Sequence, residues 1–241
     1  MLEIKGFLEN SLIEWDGKIA SVIFLPGCNF KCPWCHVPDL AFNSENLDTV
    51  PFWQVEEAIQ RQKNWMDGIV ITGGEPTIHS SLPEFIERIK GWGIPVKIET
   101  NGSYPEMLRE LIEEGLVDSA AMDIKNTVQS LKLKVEKDKY ERTVGSEVDL
   151  EKIRESIGLL MKSGIDYEFR TTVVPAFLNE QDIEEIARSI QGAKKYVLQQ
   201  FVPENASGEE MMQLKPYSPE KLEEMARQAR TYVEDCQVRG I

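Results

Sequence analysis

The sequence predicts an α/β protein in which helices cover a parallel β-sheet. From about residue 18 onward, short apolar segments alternate with longer amphipathic ones, and this alternation is typical of βαβ units. Such units join parallel strands through right-handed crossovers. The pattern leaves two architectures open, an open doubly wound sheet and a partial barrel. In both of them ligands bind at the carboxyl ends of the strands.

The strands are predicted from short segments that are rich in β-branched residues and bounded by Gly, Pro or Asn. These segments cover residues 19–25, 68–72, 95–100, 120–124, 167–174 and 196–201. Helices are predicted where apolar residues recur at helical spacing, as Ile183, Ile186 and Ile190 do. The helical segments cover residues 52–65, 82–92, 106–115, 150–163, 180–191 and, at the C-terminal end, about 219–235. The Lys- and Glu-rich residues 131–142 predict a solvated helix or connector.

Composition and charge exclude several classes of protein. The 241 residues are 41% hydrophobic, enough for a substantial core, and we expect one domain over residues 1–241. There are 27 basic and 41 acidic residues, and the net charge of −14 opposes binding to nucleic acid or anionic lipid. The beginning of the chain lacks a signal-peptide pattern, and no apolar segment approaches the ~20 residues of a membrane span. We expect a soluble cytoplasmic protein that binds neither nucleic acid nor membrane.

Three cysteines lie close together in a loop after the first predicted strand. Cys28, Cys32 and Cys35 form a C-x3-C-x2-C pattern within residues 26–38, whereas Cys236 lies in the predicted C-terminal helix. A disulfide framework would distribute its cysteines along a small chain, and this chain has enough core not to need one. We therefore expect metal or redox chemistry at the loop and a packed thiol at Cys236.

Four kinds of site compete for these cysteines. A haem attachment motif, C-x-x-C-H, matches Cys32 to His36 but leaves Cys28 unexplained. A thioredoxin-like dithiol needs no third thiol, and a structural zinc site takes four ligands, commonly in two separated pairs. An iron–sulfur cluster normally takes four thiolates, so three would leave one iron open for a substrate. The spacing favours the cluster with an open site.

Two motifs together resemble a known family over nearly the whole chain. The C-x3-C-x2-C loop, followed by Gly73-Gly74-Glu75-Pro76 after the second strand, resembles the radical S-adenosylmethionine (radical SAM) superfamily. The form Cys-Pro-Trp-Cys-His-x-Pro-Asp resembles the glycyl-radical-enzyme activating enzymes. Residues 14–20 and 167–175 are most similar to the activating proteins of anaerobic ribonucleoside-triphosphate reductase. Val37 departs from this pattern, because these enzymes often have Asn after the Cys-His pair.

The resemblance implies a partial (β/α)6 TIM-like barrel with a [4Fe–4S] cluster on Cys28, Cys32 and Cys35. It implies that S-adenosylmethionine (SAM) is cleaved reductively and that the resulting radical takes a hydrogen atom from a glycine of a partner enzyme. We expect that partner to be an anaerobic ribonucleoside-triphosphate reductase, and the electron donor to be of flavodoxin or ferredoxin type. A small-molecule enzyme such as a 7-carboxy-7-deazaguanine-type synthase is the alternative, and a binding module without turnover is a third hypothesis.

The resemblance also implies roles for side chains at the strand ends. Glycines let the backbone approach a ligand closely, a carboxylate suits the SAM ammonium group, and basic side chains suit its carboxylate. The implied SAM contacts are Trp34, His36, Gly73, Gly74, Glu75, Asp123, Lys125 and Arg170. A monovalent cation is implied beside Glu99, Thr100 and Asp123.

Overall fold

A computed structural model describes residues 2–128 and 133–241. In the part it describes, the strands of each of its two compact units are paired in the order of the sequence. They are β1 (Gly6–Ser11), β2 (Ala20–Leu25), β3 (Gly68–Gly73), β4 (Val96–Thr100), β5 (Ser119–Asp123), β6 (Asp166–Val173), β7 (Tyr196–Gln200) and β8 (Cys236–Arg239). The six predicted strands are confirmed as β2 to β7, and β1 and β8 are additional.

The helices lie between these strands, and six of them correspond to the predicted amphipathic segments. They are α1 (Pro38–Phe42), α2 (Phe52–Gln62), α3 (Leu82–Lys90), α4 (Pro105–Glu113), α5 (Leu133–Val144), α6 (Leu150–Lys162), α7 (Glu180–Ser189), α8 (Glu209–Met212) and α9 (Pro219–Ala229). Residues 131 and 132 of the charged segment lie outside the described residues, and the remainder of that segment belongs to α5. Across residues 2–128 and 133–241, the helices lack the length and apolar composition needed to cross a membrane.

The chain divides into two compact units. The first comprises Met1–Asn29, Pro38–Thr100 and Glu106–Ala120, and it contains β1 to β4. Strands β2, β3 and β4 are parallel, whereas β1 pairs antiparallel with β2. The core strands are almost wholly buried, which explains their continuous apolar segments. β1 carries exposed polar residues such as Glu9 and Asn10, and the strand prediction missed it for that reason.

The turn between β1 and β2 is fixed by Trp15. Its ring packs with Val22 and Val70 and is 4% exposed. The Lys18 ammonium group lies 3.9 Å from the ring centroid. A Cβ atom at Gly68 would lie 2.5 Å from the ring, so glycine is required there. The turn is therefore part of the core of the first unit.

The second unit comprises Phe30–Val37, Asn101–Pro105 and Ala121–Ile241. Strands β6, β7 and β8 are parallel, and Tyr196 lies in register with both Phe169 and Cys236. The predicted C-terminal helix is too long, because α9 ends at Ala229 and not near residue 235. Cys236 begins β8, where pairing with β7 satisfies the backbone that a longer helix would otherwise bond. Its assignment to a helix was wrong.

Candidate functional site

The glycine turn after β3 lies directly against the start of the cysteine loop. The Gly74 amide donates to the Leu25 carbonyl at 3.0 Å, and the Glu75 amide donates to the Gly27 carbonyl at 2.8 Å. A Cβ atom at Gly74 would lie 1.9 Å from the Gly27 carbonyl oxygen, and one at Gly73 would lie 2.0 Å from that of Leu25. Both positions must therefore be glycine, because the backbone of this turn packs directly on the backbone of Leu25 and Gly27. Gly27 immediately precedes Cys28.

Glu75 fixes this turn from inside the first unit. Its side chain is 1% exposed, and its Oε1 accepts hydrogen bonds from the Thr77 amide at 3.1 Å and the Thr77 hydroxyl at 2.5 Å. The Thr100 hydroxyl donates to the same oxygen at 2.7 Å. The carboxylate therefore joins the end of β3 to the end of β4.

Glu99 is also bonded within the first unit. Its Oε2 accepts a hydrogen bond from the Thr72 hydroxyl at 2.9 Å, and its Oε1 lies 3.9 Å from the Lys97 ammonium nitrogen. Lys97 donates to the Glu14 carbonyl at 2.6 Å and is 2% exposed. The sequence analysis assigned no role to Lys97, although its position two residues before Glu99 in a strand places both side chains on one face.

In the second unit, Asp123 joins two basic residues. Its Oδ1 accepts from Arg170 Nε at 2.9 Å, and its Oδ2 accepts from Lys125 Nζ at 2.8 Å. Burial acts to raise the pKa of Asp123, but the positive charges of Lys125 and Arg170 outweigh it and hold that pKa at about 2. Burial likewise opposes the charge of Lys125, and the Asp123 carboxylate overcomes this and raises the pKa of the lysine. All three groups are charged at neutral pH.

The backbone between Asp123 and Lys125 is fixed by hydrogen bonds to both polar groups of Ile124. The Ile124 amide donates to the Arg170 carbonyl at 2.8 Å, and the Ile124 carbonyl accepts from the Thr171 hydroxyl at 2.8 Å. The Lys125 amide donates to the hydroxyl oxygen of Tyr140 at 3.2 Å. The ammonium group of Lys125 is therefore presented from a fixed segment of backbone.

Helix α5 holds the part of the cysteine loop that belongs to the second unit. The Lys31 amide donates to the Val144 carbonyl at 2.8 Å, and the Trp34 indole donates to the Thr143 carbonyl at 3.0 Å. A Cβ atom at Gly145 would lie 2.3 Å from the Lys31 carbonyl oxygen. Trp34 is 5% exposed, and the Lys125 ammonium nitrogen lies 4.9 Å from its ring centroid. The indole is thus a packed part of the loop.

The segment after β7 holds the same loop. The Ser207 hydroxyl and the Gly208 amide both donate to the Pro33 carbonyl, at 3.0 and 2.8 Å. The Cys35 amide donates to the Cys32 carbonyl at 3.0 Å, so the two cysteines flank a tight turn. Sequence reasoning missed Ser207 and Gly208, because their residue types are common in loops and their partners are backbone groups.

His36 follows the last of the clustered cysteines and packs on Phe201. The two rings stack with centroids 6.2 Å apart and an interplanar angle of 28°. Burial, together with the charge of Lys125, lowers the pKa of His36. The imidazole is therefore neutral at neutral pH and able to donate or accept a hydrogen bond.

The thiols suit iron–sulfur ligation. All four cysteines are free; Cys32 is buried, and Cys28 and Cys35 are half-buried. Burial raises the pKa of Cys32 to about 11, against the opposing charge of Lys125, and burial also raises the pKa of Cys35. Metal binding to these thiols would release protons. In the described residues no three His, Cys, Asp or Glu side chains converge on one metal ion, but thiolates of a [4Fe–4S] cluster bind different irons.

Groups suited to the amino-acid part of SAM are also present. Lys125 and Arg170 supply positive charge for a carboxylate, and the Gly73–Gly74 turn offers backbone without side chains. The second unit therefore carries Trp34, His36, Asp123, Lys125 and Arg170 of the predicted site. The first unit carries Gly73, Gly74, Glu75, Glu99 and Thr100. The chemistry of these groups fits the cofactors that the sequence predicts.

Comparison with known proteins places this chain in a family. Residues 22–190 match the model of the radical SAM superfamily. The chain is 35% identical to a Methanocaldococcus jannaschii protein that is provisionally named a glycyl-radical enzyme activating enzyme, over 99% of this chain and 96% of that protein. A 7-carboxy-7-deazaguanine synthase of Aquifex aeolicus is 38% identical, over 39% of this chain and 41% of its own.

A solved structure confirms the fold. SuiB of Streptococcus suis, in its complex with SAM, aligns with a TM-score of 0.64 and 16% identity, over 91% of this chain and 52% of that one. This likeness and the family match confirm the predicted fold class, a partial barrel of the radical SAM type. Members of the superfamily use a [4Fe–4S] cluster and SAM. The chain belongs to the radical SAM superfamily and, within it, to the glycyl-radical-enzyme activating enzymes.

Proposed function

We propose that the protein activates an anaerobic ribonucleoside-triphosphate reductase by forming a glycyl radical on it. Activation of a glycyl-radical enzyme follows from the family, and the nearly full-length similarity to the Methanocaldococcus jannaschii protein is the observation that carries it. The choice of reductase is supported by the resemblance at residues 14–20 and 167–175. The first of these segments contains Trp15, which is packed in the core, and the second contains Arg170.

We assign the cluster to Cys28, Cys32 and Cys35. When bound, the cluster and SAM supply a one-electron reductive cleavage that yields a radical able to abstract hydrogen. The protein holds its ligands in a loop that is fixed by Thr143, Val144, Ser207 and Gly208. Supporting contacts of this kind hold the residues of a site in their productive geometry.

We assign the amino-acid portion of SAM to Gly73, Gly74, Glu75, Lys125 and Arg170. Lys125 and Arg170 suit the carboxylate, and Asp123 orients both of them through its two oxygens. The glycine turn and Glu75 suit the ammonium group. Trp34 and His36 lie in the loop that holds the cluster, and we assign them to the nucleoside.

The carboxylates of Asp123 and Glu75 are already hydrogen-bonded within the protein, and this favours a protein substrate over a small molecule. Asp123 is bonded to Lys125 and Arg170, and Glu75 is bonded to Thr77 and Thr100. An enzyme for a small polar molecule needs further convergent polar groups in addition to those that serve its cofactor. A glycine-containing loop needs few such groups, because main-chain contacts dominate the recognition of an extended peptide.

The test uses the reduced protein with its cluster, SAM, and the candidate reductase under anaerobic conditions. We expect a glycyl-radical doublet in the EPR spectrum of the reductase. The Cys35→Ser variant, and a reductase whose target glycine is replaced by alanine, serve as matched controls that give no doublet. Reduced flavodoxin, reduced ferredoxin and a chemical reductant are compared as electron donors, and we expect one of the two proteins to support the reaction.

The alternative function is a 7-carboxy-7-deazaguanine-type synthase, to which the partial similarity points. If no glycyl signal appears with any candidate partner while a purine-like small molecule is turned over with SAM, the alternative is correct. Membership of the radical SAM superfamily argues against the third hypothesis, a binding module without turnover.

A further inference from the structure

Glu99 and Thr100, the two adjacent residues expected to ligate a monovalent cation, point to opposite faces of β4. Side chains alternate along a strand, and the contacts of the two residues follow that rule. Glu99 bonds with Thr72, whereas Thr100 donates to Glu75. These two side chains therefore do not form a common cation site within the first unit.

The face of β4 that carries Glu99 already holds a positive charge. Lys97 precedes Glu99 by two residues, and its ammonium nitrogen lies 3.9 Å from Glu99 Oε1. The Lys97 and Glu99 side chains are 3% and 10% exposed. A buried charge is costly unless it is paired, so each of these groups stabilises the other. An added cation beside Glu99 would be repelled by the ammonium group of Lys97.

The carboxylate of Asp123, the third expected ligand, also has basic partners within its own unit, the second one. One of its oxygens accepts from Arg170 and the other accepts from Lys125. Both carboxylates of the expected cation site thus have basic side chains of the chain itself as neighbours. The residues present do not fit a bound monovalent cation.

We propose that Lys97 supplies the positive charge at Glu99 that a monovalent cation would otherwise supply, so that SAM binding requires no such cation. Lys97 is a positioning residue in this proposal. Its ammonium group is anchored by the Glu14 carbonyl at 2.6 Å, in the turn between β1 and β2, and it keeps the Glu99 carboxylate against Thr72. The proposal concerns the cofactor of the superfamily and does not depend on the identity of the partner enzyme.

The first experiment measures SAM affinity of the wild-type protein with its cluster, by anaerobic calorimetry. Buffers of equal ionic strength contain potassium, sodium or tetramethylammonium chloride, and the last cation is too large for a carboxylate site. We expect dissociation constants that agree within about twofold. A dissociation constant that is more than about fivefold larger in tetramethylammonium would overturn the proposal, as would saturable binding of thallium(I) followed by NMR.

The second experiment uses Lys97→Met, which keeps an unbranched side chain only one atom shorter and removes its charge. We expect SAM affinity in tetramethylammonium to fall by about tenfold and to recover in potassium or sodium, because a small cation can then approach the buried Glu99 carboxylate. Lys90→Met is the matched control, since Lys90 pairs with the exposed Asp118 at 2.7 Å; it should show no dependence on the cation.

An affinity of Lys97→Met that equals that of the wild type in all three salts would contradict the proposal. Should this variant fail to fold, the wild-type salt series and the thallium titration still decide the question. Neither experiment contains a partner enzyme, so a failure here is distinguishable from a failure of the proposed function.

Discussion

The indole Nε1 of Trp34 donates a hydrogen bond to the main-chain carbonyl of Thr143 at 3.0 Å. Trp34 lies between two of the clustered cysteines, and Thr143 lies near the end of α5. The tight turn from Cys32 to Cys35 is therefore tied to a helix that is more than 100 residues away in the sequence. This tie gives Trp34 a packing role, in addition to any contact with the nucleoside.

Replacing Trp34 by Phe tests this packing role. The phenyl ring retains most of the buried area, but the Thr143 carbonyl loses its donor. We expect the free energy of unfolding to fall by about 1–3 kcal/mol, measured by urea denaturation, because a buried carbonyl is left unpaired. Trp53→Phe is the control; Trp53 is 61% exposed, and its replacement should change stability by less than about 0.5 kcal/mol. Equal effects of the two replacements would refute the packing role.

Replacing Gly74 by Ala tests the close approach of the glycine turn to the cysteine loop. The new Cβ would lie 1.9 Å from the Gly27 carbonyl oxygen and 3.1 Å from the Cys28 nitrogen, so the backbone must shift. We expect SAM affinity, measured anaerobically by calorimetry, to fall at least about tenfold.

Gly158→Ala is the control for this replacement, because nothing lies within 4 Å of its added Cβ in α6. It should leave SAM affinity unchanged and stabilise the protein by about 0.5–1 kcal/mol. Unchanged affinity in Gly74→Ala would remove the turn from the site.

Serine replacements test the cluster ligands. Cys28→Ser, Cys32→Ser and Cys35→Ser should each lose the visible absorbance of the reconstituted cluster, since a hydroxyl is a poor iron ligand. Cys236→Ser should keep that absorbance while losing about 1–3 kcal/mol of stability, because it places a hydroxyl in the buried β8 position. Loss of the cluster in Cys236→Ser would show that the assignment is incomplete.

The low pKa of Asp123 predicts that the difference in stability between the wild type and Asp123→Asn depends on pH. The pKa of Asp123 is held at about 2, compared with 3.8 for the free side chain, so the ionised carboxylate stabilises the folded protein above pH 4. That contribution, about 2 kcal/mol, is lost as the pH falls through the folded-state pKa. Urea unfolding of the cluster-free wild type and of Asp123→Asn should give free energies that converge by this amount between pH 5 and pH 2. A gap that stays constant over this range would contradict the ion pairs with Lys125 and Arg170.

The sequence predicts features that depend on neighbouring residues or on periodic patterns. It does not predict contacts between residues that are far apart in the chain. Strands β2 to β7 were predictable because each is a buried apolar segment, but β8 was not, since its four residues resemble a continuation of α9. The candidate cysteines and the glycine turn could be selected by their spacing, and the structure places that turn against the start of the cysteine loop. The supporting groups Thr143 and Ser207 could not be predicted, because they act through backbone carbonyls and the sequence does not show which segments meet.

Lys97 is different, because the sequence did contain a signal for it. A lysine two residues before a glutamate in a predicted strand places both side chains on one face. Buried lysines are rare, and such a residue usually has a carboxylate partner. Applied to residues 97 and 99, this rule would have predicted the ion pair without a structure.

Ile124, which lies between Asp123 and Lys125, affects the entropy that is lost when a ligand binds beside it. The amide and the carbonyl of Ile124 are both hydrogen-bonded to β6, so the backbone there has little freedom left to lose. Ordering a flexible segment on binding would subtract from the affinity. Here that entropy has been lost during folding, and the charges at this site can attract an anion without a conformational search.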